Sequence, residues 1–119
     1  QNYEKKNNIN FDIILRSRSD VIYKNPLYIK NYDLNTIVLP KFHYWDGIND
    51  RFALGNRYNM NYYMKMYSRF YLLTKNKLNI SKAEFFCKYN LDIDNIKYQM
   101  YDNIKFSRVR NDGQILNDC

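Results

Sequence analysis

Three short apolar runs in the first half of the chain have the length of β-strands. Residues 11–16 contain a continuous apolar run, which is typical of a strand buried on both faces of an α/β sheet. Residues 36–40 form a second run that ends in a proline, and residues 51–54 form the third. We expect Gly55 and Asn56 to end the third strand and to cap the helix that follows it.

Apolar residues at spacings of three and four predict two helices in the second half. The first runs from Arg57 to about residue 73, and the second runs to about residue 90. Ser81 and Glu84 have the spacing of a capping box at the start of the second helix. We interpret the apolar stripe of the first helix as packing rather than as a ligand site. It comprises Met60, Tyr63, Met64, Tyr67, Phe70 and Tyr71.

The two ends of the chain complete a single α/β domain. Residues 1–10 are polar, and we expect them to form an exposed lead-in. Residues 104–110 alternate between apolar and polar side chains before an Asn-Asp-Gly turn signal, which predicts an edge strand and a turn. No linker or internal repeat interrupts the pattern, so we expect one domain over residues 1–119.

The chain carries a formal net charge of +7, which raises nucleic acid as a partner. The basic residues are scattered, however, and do not form the continuous stripe that follows a phosphate backbone. Lysine, asparagine, tyrosine and isoleucine share A/T-rich codons and are all abundant here, so base composition alone could account for the excess of lysine. We therefore expect no nucleic-acid partner, whereas a basic balance equally suits a substrate that carries phosphates.

Cysteine and histidine are too sparse to build a metal centre. Cys87 and Cys119 lie far apart and belong to no Cys-x-x-Cys or Cys/His array, and His43 is the single histidine. Any metal would be a hard cation held by carboxylates and by phosphates of a ligand. No apolar run approaches the roughly 20 residues that span a bilayer, so we expect no membrane segment in this chain.

The first apolar run passes directly into the sequence Arg-Ser-Arg-Ser-Asp. Ligands of open α/β sheets bind beyond the carboxyl ends of the strands, so a polar cluster in this position is a candidate site. Arg16 and Arg18 could bind a diphosphate, and Asp20 could bind a metal or a hydroxyl. Strand alternation would place all three on one face if the strand extends that far. Alternatively, the arginines pair with nearby carboxylates and Asp20 begins a turn; the spacing does not decide between these.

A loop rich in aromatic residues precedes the third strand and contains two carboxylates. Asp46 or Asp50 could bind a sugar hydroxyl, accept its proton or ligate a metal, and Trp45 with Tyr44 could stack on a sugar ring. We expect Arg51 to bind substrate together with Trp45 and Asp46. The structural alternative, which we favour for the loop taken alone, makes Asp46 part of a turn, Asp50 a partner of Arg51, and Trp45 a core anchor.

Two further candidates also have structural explanations. Glu84 suits the capping box, but it also begins a helix that could face the strand ends. Arg108 and Arg110 share one face of the predicted edge strand and could contact phosphate.

These segments, in this order, resemble a group of glycosyltransferase domains found in large DNA viruses, bacteria and some eukaryotes. The typical pattern has a strand ending in Arg-x-Arg-x-Asp or Arg-Pro-Asp, a loop with Asn-Asp-Arg-Phe-Ala-x-Gly, a helix opening on a methionine, and a later helix with Pro-Glu. The matching segments, which cover most of residues 11–113, are FDIILRSRSDVIY, IVLP, GINDRFALGNRYNMNYYMKMYSRF, SKAEFFCKYNL and FSRVRNDG. The resemblance implies the nucleotide-diphospho-sugar transferase fold called GT-A, a mixed sheet flanked by helices.

The resemblance also implies roles for three carboxylates. Asp20 would be the metal-binding or donor-contacting aspartate, Asp50 would lie on the acceptor side, and Glu84 would match the acidic residue of the later helix. Two positions depart from the pattern, because Asp20 follows a serine rather than a proline or a first aspartate, and Lys82 and Ala83 precede Glu84 where proline is commoner. A full Asp-x-Asp clamp is therefore not present, and the metal and the choice of base stay open.

We thus expect a glycosyltransferase that moves a sugar from a nucleotide-diphosphate donor to a glycan hydroxyl. A divalent cation, Mn²⁺ or Mg²⁺, or the arginines would neutralise the leaving diphosphate, and Asp50 or Glu84 would orient or deprotonate the acceptor. In the GT-A fold the first βαβ units hold the nucleotide base and ribose. Those units would lie before Phe11, so we expect this chain to be the catalytic and acceptor-side half of the domain. The expected location is the cytoplasm or the viral-factory cytoplasm.

Two other hypotheses compete with this one. The first is a GT-A relative that binds carbohydrate through the aromatic loop at residues 42–45 without turnover. The second, which the scattered charge makes weaker, is a basic nucleic-acid-binding module.

Overall fold

The computed structural model describes residues 2–69 and 82–117, which form a mixed α/β arrangement of short strands and helices. The α-helices described are α1 (Asn2–Asn7), α2 (Arg57–Lys65) and α3 (Ala83–Ile93), and short 3-10 helices span Ile29–Asn31 and Met66–Arg69. The strands described are β1 (Ile13–Ser17), β2 (Val21–Tyr23), β3 (Ile37–Pro40), β4 (Phe52–Asn56), β5 (Tyr98–Tyr101), β6 (Phe106–Val109) and β7 (Ile115–Leu116). The predicted α/β class is confirmed at this level.

The larger sheet has four strands in the order β1-β4-β3-β5. Strand β4 is antiparallel to both β1 and β3, whereas β3 and β5 are parallel. Strands β1, β3 and β5 therefore run in the same direction and end where β4 begins. We call this the carboxyl end of the sheet, and it is the location at which α/β sheets bind ligands.

The smaller sheet has three strands in the order β2-β6-β7, and both pairings are antiparallel. Strand β6 lies in its middle, so the prediction that residues 104–110 form an edge strand is wrong. The predicted turn is confirmed, since Arg110 N donates to Gln114 O at 2.9 Å and Gly113 has a φ of 83°. The central place of β6 depends on β2, which lies more than eighty residues earlier and leaves no local signal in the pattern.

Two apolar clusters pack on the four-stranded sheet. Successive residues of β3 alternate between them, as side chains of a strand must. The first cluster joins the sheet to α2 and α3 through Ile37, Leu39, Met60, Tyr63, Phe86 and Leu91. The second joins the two sheets through Val38, Phe52, Leu54, Ile104 and Phe106.

Strand β1 is not buried on both faces, so that expectation is wrong. Within the part of the chain described here, β1 is an edge strand that pairs with β4 alone. Ile13 and Leu15 are 41% and 51% exposed, while Ile14 packs against the helix-side cluster. A continuous apolar run does not distinguish a central strand from an edge strand that has one covered face.

The first ten residues are not simply an exposed lead-in. Residues 2–7 form α1, and Glu4 is buried within an ion pair to Arg57 at the start of α2. Glu4 Oε1 also accepts a hydrogen bond from Phe11 N at 3.0 Å. This polar segment is therefore held against the domain by charge, which hydrophobic patterning cannot reveal.

The predicted start of α2 is confirmed, although β4 runs through Gly55 and Asn56 instead of ending before them. Asn56 is both the last residue of β4 and the N-cap of α2, where its side chain accepts a hydrogen bond from Asn59 N at 2.9 Å. Of the predicted stripe, Met60 and Tyr63 are buried, but Met64 is 56% exposed. The side chain of Tyr67, together with Phe70 and Tyr71, lies outside the described residues.

Helix α3 begins close to the predicted position and continues three residues beyond the predicted end. Its N-cap is Lys82, whose side chain makes no capping hydrogen bond. Ser81, the predicted capping residue, lies outside the described residues, as does Cys119. Among the residues described, no helix is long and apolar enough to cross a membrane.

Candidate functional site

The register of β1 and β4 brings two sequence motifs together at the carboxyl end of the sheet. Ser17 pairs with Phe52, so the residues that follow β1 lie beside those that precede β4. Arg16 Nη1 donates a hydrogen bond to the backbone oxygen of Asp50, which ties the two segments to each other. The segments Arg-Ser-Arg-Ser-Asp and Asn-Asp-Arg are therefore spatial neighbours although about thirty residues separate them.

Arg16 acts in this arrangement as a link between elements. It is half-buried, and its guanidinium lies 5.9 Å from the centre of the Tyr63 ring of α2. Burial raises the pKa of Tyr63, so this phenol stays neutral. Arg16 thus holds the start of β4 in place by a hydrogen bond and a cation–π contact.

Arg18 and Asp20 form a bidentate ion pair after β1. Arg18 Nε lies 2.7 Å from Asp20 Oδ1, and Nη2 lies 2.6 Å from Oδ2. The Arg18 guanidinium lowers the pKa of Asp20, so the carboxylate is ionised at neutral pH. Because β1 ends at Ser17, strand alternation does not extend to these two residues, and Arg16 has different partners from Arg18. The local pairing is the structural alternative that the sequence left open.

A second contact joins this ion pair to the far end of the chain. Val109 N donates to the backbone oxygen of Asp20 at 2.8 Å. Arg18, Asp20, Arg108 and Arg110 consequently line one hollow of about 510 Å³, together with Val109, Asn111, Asp112 and Leu116. We call it the arginine pocket. The sequence indicated its arginines one segment at a time, without indicating that they meet.

The aromatic loop between β3 and β4 has an unusual backbone. His43, Trp45 and Asp46 have φ values of 48°, 41° and 63°, in the left-handed region that non-glycine residues rarely adopt. Asn49 is buried and holds the loop, because its Nδ2 donates to Phe42 O at 2.8 Å and its Oδ1 accepts from Arg51 N at 3.0 Å. Such conformations persist where surrounding contacts over-determine them, often at functional sites.

The same loop presents an aromatic side chain to solvent. Arg51 Nη1 lies 3.1 Å from His43 Nδ1, and the His43 ring stacks on Trp45 with 5.6 Å between ring centres. An arginine only donates hydrogen bonds, so His43 Nδ1 is the acceptor. Trp45 is 56% exposed, which excludes its interpretation as a core anchor.

The loop docks on the start of α3, where Glu84 lies. Ile48 N donates to Glu84 O at 3.0 Å, and a Cβ on Gly47 would lie 2.1 Å from the carbonyl carbon of Glu84. Glu84 and Asp50 are both half-buried, and Asp50 is two residues beyond Ile48. The two candidate catalytic carboxylates therefore belong to segments in direct contact.

Asp46 is directed to a different part of the surface. It lines a hollow of about 360 Å³ with Phe85, Lys88, Tyr89, Asp92 and Ile93 of α3. None of these residues lines the arginine pocket, so the two hollows are separate. The structure brings Asp46 to α3 and does not place it beside Arg18 or Asp20.

Sequence reasoning missed two residues that shape the loop. His43 was considered only as a metal ligand, yet it connects Arg51 to Trp45. Asn49 was not considered, although an asparagine just before a strand is a typical local hydrogen-bonding residue. That preference is the one signal by which Asn49 could have been found.

The carboxylates do not assemble a metal site by themselves. Over residues 2–69 and 82–117, no three histidine, cysteine or acidic side chains lie close enough to share a metal ion. Both oxygens of Asp20 are bonded to Arg18. A cation at Asp20 would need further oxygen ligands from a bound molecule.

Comparison with known proteins gives a family without a known activity. A family model matches residues 1–111, which is most of the chain. No curated protein and no solved structure matches this chain significantly. The chain therefore belongs to the family described as Domain of unknown function (DUF7796).

Proposed function

We propose that this protein is a glycosyltransferase of the GT-A type, which moves a sugar from a nucleotide-diphosphate donor to a glycan hydroxyl. One observation carries the proposal. Three segments that resemble this family, those containing Arg18, Asp50 and Glu84, converge at the carboxyl end of one sheet. Their separation along the chain makes this convergence a feature of the fold and not of local sequence.

The chemistry assigned to the site is a displacement at the anomeric carbon of the donor sugar. Asp50 or Glu84 accepts the proton of the acceptor hydroxyl, whose oxygen forms the new bond to that carbon. The bond from that carbon to the diphosphate oxygen breaks, and the diphosphate leaves with the electron pair. Arg18 neutralises the charge that develops on it, and Arg51 holds the loop that carries Trp45 over the sugar.

The divalent cation implied by the family resemblance remains part of the proposal. Mn²⁺ or Mg²⁺ would be held by Asp20 together with oxygens of the diphosphate, and it would add positive charge there. Asp20 would have to exchange its contacts with Arg18 for the cation.

The test is release of nucleoside diphosphate from a panel of nucleotide sugars, with glycan acceptors and either cation. We expect Asp50→Asn or Glu84→Gln to lower kcat by about 100-fold or more, because the variant side chain cannot accept a proton. Asp102→Asn is the control, since Asp102 also follows a strand at this end of the sheet but its side chain is 78% exposed. Undiminished transfer in both amide variants would contradict the assignment of the base.

A second candidate is a carbohydrate-binding protein without turnover. The observation that favours it is the pair of exposed aromatic residues, Tyr44 and Trp45, on a loop whose backbone is held in a defined shape. Saturable glycan binding, with no response to any nucleotide, would support this candidate. Any sugar transfer would rule it out.

A further inference from the structure

We infer that the arginine pocket binds the diphosphate group of a ligand, with Arg108 and Arg110 of β6 and its turn as binding residues alongside Arg18. The inference deepens the proposed function and rests on it for the identity of the ligand as a sugar donor. The recognition of a diphosphate rests on the pocket alone. The inference assigns a role to β6 and the turn after it, which the proposed chemistry leaves unused.

The first argument is the composition of the pocket. Three arginines and two aspartates line it, and both aspartates are engaged by protein groups. Asp20 bonds to Arg18 through both oxygens, and Asp112 Oδ1 accepts from Gln114 N at 2.9 Å. Because three arginines face two aspartates, the lining is positive on balance. Guanidinium groups bind phosphate oxygens in the planar, bidentate geometry that lysine cannot provide.

The second argument is the rigidity of the frame. Arg108 lies on the middle strand of the smaller sheet, paired with Val21 on one side and Leu116 on the other. Arg110 begins a turn that two backbone hydrogen bonds close. Arg110 N donates to Gln114 O at 2.9 Å, and Arg110 O accepts from Gly113 N at 2.8 Å. Val109 N bonds to Asp20 O between them. The backbone that carries Arg108 and Arg110 is therefore ordered before a ligand arrives, so binding has to immobilise only their side chains.

The third argument is the position of the pocket. Arg18 belongs to the segment that leaves the carboxyl end of the larger sheet, two residues beyond Arg16 and its bond to Asp50. A diphosphate against Arg18 would thus lie next to the loop that carries Asp50 and Arg51. The pocket volume of about 510 Å³ is within the range of ligand sites.

The experiment is calorimetric titration of the protein with inorganic pyrophosphate at low and at high ionic strength. We expect saturable binding that weakens with salt, and a roughly tenfold or greater loss of affinity in Arg110→Gln, as for one lost charge-assisted contact. Arg110→Lys should recover only part of the affinity. Arg110 is exposed, so the substitution should leave the fold intact, which circular dichroism will verify. Lys30→Gln on the 3-10 helix Ile29–Asn31 makes the same charge change elsewhere and should bind normally.

The outcomes separate this inference from the proposed function. Equal pyrophosphate affinity in Arg110→Gln, Lys30→Gln and the unaltered protein, or no binding at low ionic strength, would overturn the inference. If sugar transfer occurs and Arg110→Gln leaves the donor KM unchanged, the inference fails and the proposed function stands. If pyrophosphate binding depends on Arg110 but no nucleotide sugar is consumed, the pocket stands and the proposed function fails.

Discussion

At Gly47 the backbone of the aromatic loop lies directly against the backbone of α3. A Cβ at this position would lie 2.1 Å from both the carbonyl carbon and the oxygen of Glu84, and 2.5 Å from Phe85 N. These neighbours are main-chain atoms of a helix, so they cannot move aside as a side chain could. Glycine is required here by close approach, not by an unusual φ.

We therefore expect Gly47→Ala to destabilise the protein by about 1–3 kcal/mol, the usual cost of overpacking, and to detach the loop from α3. The measurement is the free energy of unfolding in urea. Gly55→Ala is the matched control, because its Cβ would meet its nearest neighbours at 3.4 Å, which is ordinary contact. Equal effects in the two variants would show that the loop does not pack on Glu84 as described.

Single residues also decide which arginines can meet a ligand. Arg16 and Arg18 are two positions apart, yet one is half-buried against Tyr63 and the other is paired with Asp20 near the surface. Their shared chemistry made them equivalent candidates in the sequence. The end of β1 at Ser17 separates their roles, because the chain turns towards β2 after that residue.

At the scale of elements, α2 begins where β4 ends, with no intervening loop. Asn56 makes this possible, because its extended backbone completes the strand while its side chain caps the helix through Asn59 N. Asn59 in turn donates from Nδ2 to Asn35 O at 3.0 Å, which ties the first turn to the loop before β3. The direct junction fixes the direction of α2 over the sheet.

We expect Asn56→Ala to lower the free energy of unfolding by about 1 kcal/mol, since an orphan N–H of the first turn loses its partner. Chemical denaturation followed by circular dichroism will measure the loss. Asn61→Ala, within the same helix, should be neutral or slightly stabilising, because alanine has the higher helix propensity. If Asn61→Ala costs as much as Asn56→Ala, the effect is not one of capping.

At the scale of the whole molecule, several arginines join parts of the chain that lie far apart. Arg57 holds α1 through Glu4, and Arg69 joins the end of the α2 segment to Asp94 after α3. Hydrogen bonds from Arg57 and Arg69 hold the pKa of Glu4 and of Asp94 below their ordinary values, 4.5 and 3.8, as Arg18 does for Asp20. The unfolded chain therefore binds protons at a higher pH than the folded protein does.

We expect this linkage to make the protein less stable in acid. The stabilisation is complete above the ordinary pKa values of these carboxyl groups, and it is lost as the pH falls through their lower folded values. Glu4→Gln should be less stable than the unaltered protein at about pH 7. The free energies of unfolding of the two proteins should converge in acid. Parallel stability curves, measured by urea denaturation across this range, would contradict the role given to the Glu4 and Arg57 pair.

Local patterns predicted those parts of the fold that depend on near neighbours. The strand at Ile37–Pro40, the start of α2, the course of α3 and the turn before Gly113 all follow from side-chain period, a capping residue or turn chemistry. The candidate residues at the strand ends were also visible, because charge directly after an apolar run is a local feature.

The sequence by itself therefore determined the starts of α2 and α3, the strands β1, β3, β4 and β6, and a set of residues suited to sugar-phosphate chemistry, but not the helix α1. Only the tertiary structure decided that, among the described strands, β1 lies at an edge and β6 in the middle of a sheet, that Glu4 is buried, and that Arg110 and Arg18 line one hollow. Strand order, register and ion pairs between distant residues are set by how all the elements pack together. No window of neighbouring residues contains that information, which is why the arginine pocket becomes visible only in the folded chain.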